Sequence, residues 1–285
     1  MNYYAFISGL PDLIFDEHKK VHATSEFREE LKNELSWSDK MVVNKLFLTY
    51  DNDNLLSILK YGEENATFNN LANYTQEVTV DMIDTVKDED RKWNKKYPKY
   101  LEVFIQDYLI HEETPKVFWE DHLSTLYYNY LLSKTNNRFL QEWSELNMNI
   151  RNVLTALAAR REDIAHDYLI VGDNAVAKLL RSAQNPVHGL MELIEYYDAI
   201  REIDEISDLL QKEQRIDAFL WEWIDTNTFF HYFDIEKIMG YLFKLQMIER
   251  WRLLDSEKGK ELFTNIVSGL KNTAKLHENF DANKR

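Results

Sequence analysis

The sequence predicts an all-α protein of elongated, multi-helix bundles, and three observations predict it. Only seven glycines and four prolines occur in 285 residues, so the positive-φ turns and strand edges that hairpins and nucleotide loops need are scarce. Three long stretches repeat apolar residues at spacings of three and four, the signature of one buried helix face. Residues suited to helix starts precede the third of these stretches and two of the earlier helices. Hydrophobic content of 45% with 13% aromatics marks a folded chain rather than a disordered one.

The clearest helix begins near Phe139, where Phe139, Trp143, Leu146, Ile150, Val153 and Leu157 form an apolar stripe, with Glu142, Glu145, Asn149 and Asn152 between them. A second stretch carries Leu193, Tyr196, Ile200, Ile203, Ile206 and Leu210, and its pattern continues through Ile216, Leu220 and Trp223. Unbroken from Gly189 to Ile224, it would reach about 50 Å at ~1.5 Å per residue. The third runs Ile238, Tyr241, Leu242, Leu245, Ile248 and Trp251, with Asp234 placed to cap its free amides.

Earlier helices are expected at Ser25–Leu35, Ser38–Thr49, Asn52–Lys60, Thr79–Lys87, Pro98–His111 and Thr114–Ser133, with Pro98 and Pro115 in first-turn positions where a missing amide costs little. Residues 88–98 switch abruptly from acidic to basic and read as a linker between helical lobes. A further boundary is expected at Asn185-Pro186. The chain is thus expected as one all-helical protein over residues 1–285, with lobes at 1–90, 91–185 and 186–285.

Composition also excludes function classes. Net charge is −15, from 49 acidic and 34 basic side chains, which opposes phosphate backbones and anionic lipid. Nucleic acid is not expected as a partner. No run approaches the roughly 18 to 20 apolar residues of a membrane span, and the first residues lack a basic signal-peptide start. Zero cysteines removes disulfides, thiolate metal sites and cysteine nucleophiles, and fits a cytoplasmic location.

Motifs for catalysis are sparse. His18 and His22 are four apart without an identifiable third ligand, and Asp163-x-x-His166 is half of what a helical di-iron site requires. No metal or cofactor is expected. Gly172-Asp173-Asn174 lacks the spacing of a phosphate loop and reads as a turn with a helix N-cap. The densest aromatic stretch, Phe219, Trp221, Trp223, Phe229, Phe230, Tyr232 and Phe233, reads as a buried hinge between two helices, with a partner-binding patch as the functional alternative.

The opening Met1-Asn2-Tyr3-Tyr4, followed by Leu10-Pro11, packs on the core by its apolar character. The same string resembles the start of a bacterial family encoded within V-type ATP synthase operons. Further along, the chain resembles the C-type stalk proteins of V-type and A-type rotary ATPases, known as d-type in eukaryotes. Asn149-Ile150-Arg151-Asn152-Val153-Leu154 leading to Leu157 and Arg160 is similar to that family's mid-chain helix, with Asn149 where aspartate is usual. Tyr241, Lys244, Ile248 and Arg252 look like its C-terminal set, with Met247 at the glutamate position.

The resemblance implies a funnel of three helical bundles and a non-catalytic component of the central stalk, coupling the central shaft to the membrane rotor ring during proton or sodium transport. Its implied partners are the central-shaft proteins and the rotor ring. It would sit in the cytoplasm against the inner membrane, without direct insertion. The candidate partner-interface residues are Asn149, Asn152, Arg160, Lys244 and Arg252. The alternatives are a free-standing helical adaptor and a helical metalloenzyme.

Overall fold

Six short polar side chains set the starts of helices in the computed structural model, which describes residues 3–15, 22–111, 118–165, 167–182 and 186–255. Ser36, Thr75, Asn137, Asn174, Asp208 and Asp234 each accept the backbone amide three residues on. Each satisfies a donor that a helix N-terminus leaves unpaired. The helices among the described residues are α1 (Tyr4–Ser8), α2 (Thr24–Glu34), α3 (Trp37–Tyr61), α4 (Gln76–Lys87), α5 (Lys99–His111) and α6 (Trp119–Lys134). They continue with α7 (Arg138–Arg161), α8 (Ala175–Ser182), α9 (Val187–Leu193), α10 (Tyr197–Asp204), α11 (Leu209–Thr228) and α12 (Ile235–Asp255). No strand occurs among the described residues, so the chain is all-α and its helices pack as bundles.

Two compact units divide the chain, one from Met1–Glu34 with Asp217–Arg285, the other from Leu35–Ile216. Neither limit falls at the lobe bounds expected from the sequence. The charged segment 88–98 joins α4 to α5, and Met82 and Ile83 share one core with Leu101, Phe104 and Ile105, so it connects two helices of one core. Asn185, at the other expected boundary, lies outside the described residues, as does Pro115; Pro98 immediately precedes α5 as expected.

In the Leu35–Ile216 unit, α3, α4, α5 and α6 pack in succession and α6 returns to α3. Phe104 and Ile105 are fully buried at their centre. The sequence suggests separate helices on either side of Tyr50-Asp51, yet α3 runs through without a break. Asp51, Asn52, Asn54 and Ser57 of α3 are buried, and three of them hold the following loop. Asp51 accepts from Asn73 N (3.1 Å) and Nδ2 (2.7 Å) and from Tyr74 N (2.9 Å). Asn54 pairs with Asn69 in both directions, accepting its N–H at 2.7 Å and donating to its carbonyl at 3.0 Å. Ser57 Oγ accepts the Thr67 amide at 2.9 Å. These residues are three apart and share one helix face, so a polar triplet that resembles a helix stop staples a loop to the helix flank.

α7 packs on α6 on one side and on α8 and α10 on others. It uses the same device: Asn152, with no exposed surface, accepts the Val171 N–H at 2.9 Å and donates to the Val171 carbonyl at 2.8 Å. The long rod expected over Gly189–Ile224 is broken twice. Ile194 leaves the helix with extended backbone (φ −136, ψ 113), and Asp208 caps a new start. The breaks let Ile194, Tyr197, Ile200 and Ile203 all be buried as α9 and α10 fold back over α8 and α7. A straight rod would carry much of that stripe past its cover.

In the other unit, α2 packs on α12. Residues Asp217–Thr228 of α11 run antiparallel to α12: Asp217 meets Arg250 and Trp251, Asp225 meets Lys244, and Gly240 faces Thr228 and Ile224. Gly240 permits that approach, since a Cβ there would lie 2.9 Å from Thr228 Cγ2 and 3.0 Å from Ile224 Cγ2. The N-terminal segment packs on this hairpin as expected. Tyr3 N donates to the Phe233 carbonyl (2.7 Å), and Phe6 stacks on Phe27, which in turn meets Tyr241.

Candidate functional site

The turn between α11 and α12 gathers the most unusual surface of the unit that holds these two helices. α11 ends where Thr228 Oγ1 donates back to the Ile224 carbonyl (2.8 Å), and a tight turn follows, with His231 N donating to the Thr228 carbonyl at 3.0 Å. Phe229 and Phe230 therefore project edge to face, ring centres 4.9 Å apart. They are 64% and 80% exposed, and Tyr232 is 59% exposed. The expected buried hinge is thus corrected in part: Phe219, Trp221, Trp223 and Phe233 are half-buried, whereas three rings at the tip face solvent. Burying such rings would stabilise an interface by ~25 cal/mol per Å² of apolar area.

In the same connection, His231 Nδ1 lies 2.8 Å from Asp234 Oδ2 and 3.8 Å from Glu236 Oε2. All three donor atoms fall within 4.8 Å of one another. Sequence reading missed this group, although His231-x-x-Asp234-x-Glu236 is visible in the chain. The signal was hidden because Asp234 already served as a helix cap.

A cavity of about 240 Å³ lies in the same unit, lined by Leu10, Pro11, Asp225, Lys237, Tyr241 and Lys244 among others. Ligand pockets run to roughly 300–1,000 Å³, so it lies just below that range. Lys244 Nζ donates to Asp225 and sits 4.5 Å from the centre of the Trp221 ring. Burial holds its ammonium below the ordinary lysine range, against the pull of Asp225. Burial also pushes the Tyr241 hydroxyl up to about 12, helped by the charge of Glu30.

A family model described as "Protein of unknown function (DUF2764)" matches residues 1–274. The chain belongs to that family. No curated protein matches it, and no solved structure does. The match spans both compact units, so the aromatic tip, the His231 group and the α7 polar residues all fall within it.

The sequence-predicted interface residues divide between the units. Asn149 and Asn152 are 2% and 0% exposed and offer a partner no surface. Asn149 donates to Tyr196 Oη (3.1 Å) and accepts from Asn174 Nδ2 (2.9 Å), while Asn152 holds Val171. Their role is internal because α7 is covered on more than one side. Arg160 is partly buried, and its Nη2 has no hydrogen-bond partner among the described residues. Lys244 is committed to Asp225 and the Trp221 ring. Arg252 is partly exposed near the end of α12. Of the metal-ligand candidates, His18 and His166 lie outside the described residues. His22 Nδ1 sits 3.3 Å from Glu30, and Asp163 adopts φ +52 just after α7.

Proposed function

We propose that this protein is a non-catalytic, helical component of a V-type rotary ATP synthase, held by its partners between the central shaft and the membrane rotor ring. The observation that carries the docking role is the exposed Phe229–Phe230 pair with Tyr232 at the tip of a braced helical hairpin. Aromatic side chains are enriched in interface cores and dominate binding when buried there. The tip also has the backing that force transfer needs. Asp217 ties α11 to Arg250 and Trp251, and Asp225 ties it to Lys244, so the two helices resist sliding past each other.

The motor context comes from the resemblance of the Tyr3-Tyr4 and Leu10-Pro11 string and of the two helix segments. No helix among the described residues is long and apolar enough to cross a membrane. That supports attachment through protein partners. The buried amides of Asn149 and Asn152 are spent on internal bonds, which suits a part in holding the bundle rather than in contacting a ligand.

The test is affinity capture of the tagged full chain from native membranes. Recovery of the shaft and rotor proteins in fixed ratio supports the proposal, and Phe229→Ser with Phe230→Ser should lower that recovery at least tenfold while the helical circular dichroism spectrum is unchanged. The proposal fails if the chain neither recovers those proteins nor appears in the purified motor. A free-standing helical adaptor then takes its place, since the same aromatic tip serves either role.

A further inference from the structure

We propose that His231, Asp234 and Glu236 form a binding site for one divalent transition-metal ion of the zinc class, at the base of the aromatic tip. The proposal is independent of the rotary-motor reading. One imidazole nitrogen and two carboxylate oxygens converge from six consecutive residues, with Nδ1 2.8 Å from Asp234 Oδ2 and 3.8 Å from Glu236 Oε2. Ligands at the usual ~2.0–2.2 Å from a tetrahedral zinc are separated by roughly 3.3–3.6 Å, and the two observed separations, 2.8 Å and 3.8 Å, bracket that range. Glu236 approaches the same imidazole nitrogen that Asp234 bonds, so one ion can be shared by all three side chains.

The donor set selects the class of ion. Calcium and magnesium take all-oxygen shells, whereas imidazole with carboxylates suits zinc, cobalt, nickel or manganese. Charge is compatible as well. The amino end of α12 carries only about half a positive charge, while two ionised carboxylates outweigh it. The side chains of His231 and Asp234 are 38% and 43% exposed, and Glu236 is 19% exposed, so water has access to the remaining coordination positions. A bound ion would tie the residues after Phe229 and Phe230 to the first turn of α12 and fix the direction in which the rings project.

The experiment is equilibrium dialysis of the full chain against zinc, after stripping with a chelator that is then removed. Wild type should take up one equivalent that His231→Gln and Glu236→Gln each weaken at least tenfold. Asp234 is left intact because it also caps α12. Cobalt in place of zinc should give a visible absorption band that both variants lose while their helical spectrum stays that of wild type. No zinc uptake at 100-fold excess over protein, or uptake unchanged in both variants, overturns the proposal.

Discussion

Replacing Asn152 with alanine should be among the most damaging single changes in the Leu35–Ile216 unit, although the substitution removes only a small polar group. Asn152 and Val171 are both fully buried, and the carboxamide serves Val171 at both its N–H and its carbonyl. Alanine strands both backbone groups away from water. At ~1–3 kcal/mol for each unsatisfied buried group, the loss is roughly 2–6 kcal/mol. With a urea m-value of about 2 kcal/mol/M, the unfolding midpoint followed by circular dichroism should fall by roughly 1–3 M.

Asn149→Ala is the internal comparison. Its partners are side chains with other recourse, since Tyr196 is only partly buried and Asn174 Nδ2 also donates to Glu145, so the loss should be about 1 kcal/mol. If Asn152→Ala cost less than about 0.5 kcal/mol, the level of an ordinary surface change, or matched Asn149→Ala, the stapling argument would be wrong.

Asp217→Ala removes a buried acceptor shared by Arg250 and Trp251 Nε1; because the Arg250 side chain is 49% exposed, the expected loss is ~2–4 kcal/mol rather than the full buried-pair value, and a double-mutant cycle with Arg250→Ala should show coupling between the two sites. Gly172→Ala should cost roughly 1–3 kcal/mol, since Gly172 sits at φ +76 and a Cβ there would overlap Met148 Sδ; an unchanged denaturation midpoint would refute this. Burial raises the Tyr196 hydroxyl from 10.0 to about 12, so the native state keeps a proton that the unfolded chain loses. Stability from this group is intact below about pH 10 and declines toward about pH 12, and Tyr196→Phe should flatten that decline in a pH series of urea titrations, with an identical slope counting against it.

How much was legible in the sequence depended on range. Helix class and several starts came from local rules: the α7 stripe of Phe139, Leu146, Ile150 and Val153 is buried as its periodicity requires, and Asp234 caps α12. The break expected at Tyr50-Asp51 does not occur, because the same Asx residues that favour turns can bond a distant loop instead. Which of the two Asp51 would do depended on residues 73 and 74, not on its neighbours. The unbroken rod from Gly189 failed for a related reason. Periodicity states that Ile194, Ile200 and Ile203 need cover, but not that cover is reached by folding back.

The candidate site shows the same division. The sequence by itself determined a helical chain, a strongly acidic balance and an aromatic-rich segment at Phe219–Phe233, because helix propensity, charge and composition are properties of residues and near neighbours. Only the tertiary structure decided that Asn149 and Asn152 face inward, that Lys244 belongs to Asp225 and Trp221, that Phe229, Phe230 and Tyr232 face solvent, and that His231, Asp234 and Glu236 converge. Burial depends on which elements meet, and the close approach of α11 to α12 at Gly240 turns a run of aromatics into some rings that pack and others that project.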